Sequence, residues 1–136
     1  MTVVLLKGIL KDALIVMISC LTMQAQNQEK MKIRLAEITI EPQYREEYLK
    51  KAKKVGAISV EKEEGVICIF PMVMQEDLSQ VRIVEIYRDE AAYQAHLQTP
   101  HFLEYKSSTL KMVKSLKLIE MDALDPEAMT YIFKKQ

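Results

Sequence analysis

An α+β fold of the split βαβ type, built on a four-stranded antiparallel sheet, is predicted by three features of the sequence. The first is an alternating strand pattern over Lys32–Ile40 that gives way at once to a helical stretch opening at Pro42. The second is a pair of apolar, β-branched runs at 66–74 and 81–87, separated by a short turn. The third is a repeated helix start, at Asp89 and again at Thr99, followed by a last strand-like run at 116–121. Strand, helix, strand, strand, helix pair, strand is the order found in ferredoxin-like domains.

Each element follows from its own residues. In the first strand Ile33, Leu35, Glu37 and Thr39 share one face, and Lys32, Arg34, Ala36, Ile38 and Ile40 the other. Beyond Pro42, Tyr44, Tyr48, Ala52 and Val55 trace a buried helical stripe to near Glu61, with Gly56 expected to bend or break it. Gly65 ends this section. The run 66–74 is apolar on both faces, which calls for helices on one side and a partner sheet on the other. Pro71 has no N–H to give a ladder, so it belongs at a sheet edge or bulge.

The turn at 75–80 leads to the third strand, where Glu85 shares a face with Ile83 and Tyr87. Asp89 caps a helix expected over 90–98, with Tyr93, His96 and Leu97 on its inner side. Thr99 and Pro100 repeat the signal, and the next helix carries Phe102, Tyr105, Thr109 and Met112 at three-to-four spacing. In this fold the first and third strands are central neighbours, which places Glu37 and Glu85 side by side on one face.

The chain has 136 residues and is 49% apolar, enough for one core and a single folded domain. Its 19 basic and 19 acidic residues balance, so the electrostatic footprint of a nucleic-acid binder is missing. Lys50, Lys51, Lys53 and Lys54 read as the solvated side of a helix. Lys7 and Lys11 precede an apolar run at 13–23 that is short for a membrane span but fits a secretory signal. Residues 1–30 are therefore read as leader and linker, 31–122 as the domain and 123–136 as an extension. Cleavage after Ala25 yields an exported product with no membrane span. A lipid anchor ending at Cys20 fits less well, and translation from Met31 would instead leave the product in the cytoplasm. With Cys20 removed, Cys68 has no intrachain partner and reads as a small buried hydrophobe.

Residues suited to chemistry gather between Glu85 and Lys106, a stretch that holds both histidines and three of the six tyrosines. His96 is the first candidate, because an imidazole titrating near neutrality can accept a proton from an acidic phenol or activated carbon. A core histidine satisfied by a carboxylate or carbonyl is the plainer reading. Glu85 and Glu37 are carboxylates on otherwise apolar strand faces, which require partners if buried. Tyr87, Tyr93, Phe102 and Tyr105 suit either core packing or the flat walls of an aromatic-binding pocket. His101 follows His96 by five residues across a proline, a spacing that does not put both imidazoles on one helical face, so no metal site is expected. No glycine-rich phosphate loop, metal-ligand motif or serine elbow occurs.

EEGV at 63–66, FPMV at 70–73, EIYRDEAAYQAH at 85–96 and TPHF at 99–102 occur in an order that resembles the antibiotic biosynthesis monooxygenase family. The likeness is to its small quinol-monooxygenase-like members and the related autoinducer-processing isomerases, and runs from Met31 to about Asp122. It implies a homodimer paired through its sheets, a dimeric α+β barrel, with a pocket between sheet and helices. It further implies oxygenation of a small aromatic by dioxygen with no cofactor, His96 as base, Glu85 as its orienting partner and the tyrosines as walls. Haem-degrading relatives use an asparagine and a histidine at positions occupied here by Ile38 and Lys106, which argues against haem. An isomerase of a small hydroxylated or phosphorylated dione and a non-catalytic dimeric binding module are the alternatives the resemblance leaves open.

Overall fold

A computed structural model describes residues 30–135. The leader expected at 1–30, with Cys20 and the cleavage position after Ala25, thus lies, except for its last residue, outside the described residues. Strand β1 (Lys32–Ile40) passes through a 3-10 turn at Pro42–Tyr44 into helix α1 (Arg45–Lys62). Strands β2 (Val66–Val73) and β3 (Gln80–Tyr87) follow, then helices α2 (Glu90–His96) and α3 (Pro100–Thr109), and strand β4 (Val113–Met121). Short turns and a single-turn helix, α4 (Met129–Ile132), complete the chain. The sheet order is β2-β3-β1-β4 with every pairing antiparallel, so the ferredoxin-like α+β fold is present. Among the described residues no helix is long and apolar enough to cross a membrane.

Edge and centre are sorted as the side chains require. Pro71 lies on β2, an outer strand of the sheet, where its missing N–H disturbs little. The inner face of the sheet contributes Ala36, Ile38, Ile40, Val81, Ile83 and Tyr87 to the core, against Tyr48 and Ala52 of α1. Gly56 does not break α1, which runs unbroken to Lys62. A side chain there would stand 3.1 Å from Pro71 Cδ and 3.2 Å from the Ile69 carbonyl oxygen, so its absence lets α1 lie close on β2.

Register corrects one expectation. Arg34 stands opposite Glu85, and Glu37 opposite Arg82. Residues directly opposite share a face. Glu37 is therefore on the outer face of the sheet, away from Glu85, with its carboxylate 3.5 Å from the Arg82 guanidinium. Two adjacent strands do not by themselves reveal which residues pair, and a shift of one position reverses the face.

Local signals set the helix ends. The Asp89 carboxylate accepts from the Ala92 amide at 2.6 Å and caps α2. That helix stops at His96, two residues short of the expected end, because the chain turns there to start α3. The Thr99 hydroxyl accepts from the Phe102 amide at 3.3 Å, and it donates to the His96 carbonyl at 2.9 Å. Strand β4 begins at Val113, three residues before the run read from sequence. Among the described residues the long helix α1 and helices α2 and α3 cover the inner face; Ile33, Leu35, Val84 and Ile86 line the outer one half-buried, with Phe70 60% exposed beside Val84.

Candidate active site

Between the inner sheet face and helices α2 and α3 lies a cavity of about 410 Å³, a size suited to a small organic ligand. Glu85, Tyr87, Tyr93, His96, Phe102 and Tyr105 all line it. Glu37 does not, being on the other face. Ile38 and Lys106, the positions that argue against haem, line the same space.

His96 closes α2 and is only 3% exposed. Its ring lies between Phe102 and Tyr87, at centroid distances of 4.6 and 5.4 Å. Its hydrogen-bond partner is not Glu85, as the family resemblance implied, but Glu63. His96 Nδ1 is 3.0 Å from Glu63 Oε1 and 3.1 Å from Oε2. His101 Nε2 reaches the same Oε1 at 2.6 Å. The two imidazoles thus converge on one carboxylate, contrary to the spacing argument. The two residues do not share one helical surface: the turn bonded by Thr99 ends α2 and starts α3 afresh, so His101 approaches Glu63 from a separate helix.

The ionisation states fit one proton arrangement. Burial pushes the Glu63 carboxyl up, but the hydrogen bonds from His101 and His96 outweigh it and hold it below the usual value. Burial lowers the His96 pKa, with Glu63 pulling the other way. A carboxylate beside a neutral imidazole results. His96 then donates Nδ1–H to Glu63, which leaves the Nε2 lone pair available on a ring that faces the cavity.

Glu85 has a different setting. Burial raises its pKa, opposed by the Tyr87 hydroxyl, which donates to Oε2 at 3.1 Å, and by Arg34 opposite it on β1. Arg34 in turn bonds the Tyr93 hydroxyl, lies 4.6 Å from the centre of that ring and meets Glu120 at 2.8 Å. Tyr48 and Tyr105 share a hydroxyl hydrogen bond of 2.5 Å deeper in the same wall. Cys68 stands apart, half-buried on the outer face with its thiol pushed up by burial.

Glu63 and Arg34 are the site residues that sequence reasoning missed. For Glu63 a signal existed: a carboxylate at the C-terminal end of α1 opposes the helix dipole and calls for a cationic or hydrogen-bonding partner. One oxygen of Glu63 and one nitrogen from each histidine all lie within 4.8 Å of one another, a donor set able to hold a divalent cation.

The family model described as antibiotic biosynthesis monooxygenase matches residues 31–108. A solved structure from Bacteroides thetaiotaomicron, provisionally named an antibiotic biosynthesis monooxygenase, is 41% identical, covers 71% of this chain and 92% of its own, and superposes with a TM-score of 0.70. A Pseudomonas aeruginosa structure at 22% identity covers 73% of this chain and 99% of its own, with a TM-score of 0.67. One from Nitrosomonas europaea, with the same provisional name as the first, is 17% identical over 73% of this chain and 95% of its own, also at 0.67. These last two show the shared fold. Among curated proteins none matches.

Proposed function

Because this chain belongs to the antibiotic biosynthesis monooxygenase family, we propose that it oxidises a small quinol-like aromatic with dioxygen and no bound cofactor. One observation carries the reading: a buried imidazole, held through Nδ1 by a carboxylate, lines an aromatic-walled cavity of about 410 Å³. A base so placed has its tautomer fixed by the carboxylate and keeps its second ring nitrogen free to accept a proton.

In this mechanism Nε2 of His96 takes the proton of a ring hydroxyl, and Glu63 stabilises the imidazolium that forms. Tyr87, Tyr93, Phe102 and Tyr105 hold the ring flat, and Glu85 accepts from its second hydroxyl. The anion passes one electron to dioxygen, and the two radicals combine at a ring carbon. His96 returns its proton to the peroxide, and as the O–O bond breaks the attacked ring carbon gives up its hydrogen, so one oxygen atom stays on that carbon and the other leaves with both hydrogens as water. Quinol and dioxygen become hydroxyquinone and water, with every atom and electron accounted for. The apolar outer sheet face, carrying Leu35, Phe70 and Val84, is where two copies pair sheet to sheet.

Oxygen-18 labelling tests the reaction. With menadiol and labelled dioxygen, the quinone product gains a single labelled atom above the enzyme-free background. Proton exchange on a small dione with no oxygen uptake would point to the isomerase instead.

A further inference from the structure

We propose that Glu63, His96 and His101 form a binding site for a divalent transition-metal ion of the zinc class, and that occupying it switches the base off. The switching half rests on the role of His96 proposed above; the binding half does not.

The donors are His96 Nδ1, His101 Nε2 and Glu63 Oε1, mutually within 4.8 Å. Ligands lie about 2.0–2.2 Å from zinc, so the corners of a tetrahedral site stand roughly 3.3 Å apart. The two nitrogens are 3.0 and 2.6 Å from the shared oxygen and within 4.8 Å of each other, so the oxygen must draw back by up to about 0.7 Å and the two rings adjust about it to admit an ion. Two imidazoles and a carboxylate with the fourth corner open favour zinc over the hard, all-oxygen cations.

The surroundings agree. Glu63 ends an 18-residue helix, whose C-terminal dipole favours a cation. The side chains of Glu63 and His101 are 12% and 19% exposed and that of His96 is 4%, so an ion enters from the His101 side. Both histidines of the chain are used, so no other imidazole competes.

Binding changes which nitrogen of each ring carries the proton. With metal on Nδ1, the N–H of His96 moves to Nε2, and the nitrogen left to the cavity turns from acceptor to donor. A loaded site therefore cannot take a proton from a bound phenol.

The test titrates ZnCl2 into the full chain, freed of metal with chelator, by calorimetry. Glu63→Gln and His101→Gln are compared with a Cys20→Ser/Cys68→Ser control, and thermal unfolding confirms that each variant folds. The expected result is saturable binding of one ion per chain, unchanged in the cysteine control and weakened about tenfold or more in both other variants. Nitrogen-15 spectra then show His96 protonated at Nε2, and oxygen uptake with menadiol falls in step with occupancy. Absence of saturable binding, binding indifferent to Glu63 and His101, or binding lost with the cysteines overturns the site. Uptake that persists at full occupancy overturns the switch. If the metal-free protein consumes no oxygen at all, the oxygenase reading fails while the calorimetry and the nitrogen spectra still decide the site.

Discussion

His96 and Glu63, separated by 33 residues, meet through Nδ1 and a carboxylate oxygen at 3.0 Å, beneath the wall of the cavity. An amide in place of that carboxylate keeps the shape but loses the charge that fixes the tautomer and stabilises the imidazolium. Glu63→Gln is therefore expected to lower kcat for oxygen uptake by about tenfold or more while KM changes little. Steady-state kinetics with menadiol decide it, and an unchanged kcat would remove Glu63 from the mechanism.

The carboxyl of Glu85 is raised by burial, despite the bond from Tyr87 and the charge of Arg34. Folding thus favours its protonated form. The contribution of this group to stability is fully present below its unfolded value and is lost as pH rises through the higher folded one. Glu85→Gln should accordingly raise Tm at pH 8, with the gain vanishing near pH 4. A variant less stable than wild type at pH 8 would show that the carboxylate is held by its partners better than burial penalises it.

Gly65 sets the spacing between the end of α1 and helix α2, since a side chain there would meet Ala92 Cβ at 2.4 Å. Gly65→Ala forces α2 outward and should cost about 1–3 kcal/mol. Loss of turnover should accompany it, because Glu63 and His96 sit on either side of that spacing. Denaturant unfolding with parallel activity measurements checks both; full stability would mean that α2 yields freely.

How far these features are legible in the sequence depends on their range. Asp89 and Thr99 announce their helices because a cap acts over three residues, and Pro71 marks an edge because the missing N–H is its own property. The face of Glu85 follows from alternation along one strand. Its neighbour does not, since the pairing of Glu37 with Arg82 rather than Glu85 depends on register between strands far apart in the chain. Glu63 reaches His96 and His101 across 33 and 38 residues. Only the fold of the turn at Thr99 and Pro100 brings the three together.

The outer sheet face gives a further expectation. Phe70, 60% exposed there, faces a second copy if the sheets pair. Phe70→Glu puts a charge into that apolar contact and should convert a dimer to monomers in light scattering coupled to size exclusion. A monomeric wild type, or a variant that stays dimeric, would place the partner surface elsewhere.

Oxygen uptake by His96→Ala, with His96→Gln beside it to hold the ring's volume, probes the proposed base itself. Both variants should bind menadiol, followed by quenching of tyrosine fluorescence, yet turn it over about a hundredfold or more slowly than wild type. Turnover near the wild-type rate in a folded His96→Gln would contradict a role for this imidazole in taking the proton.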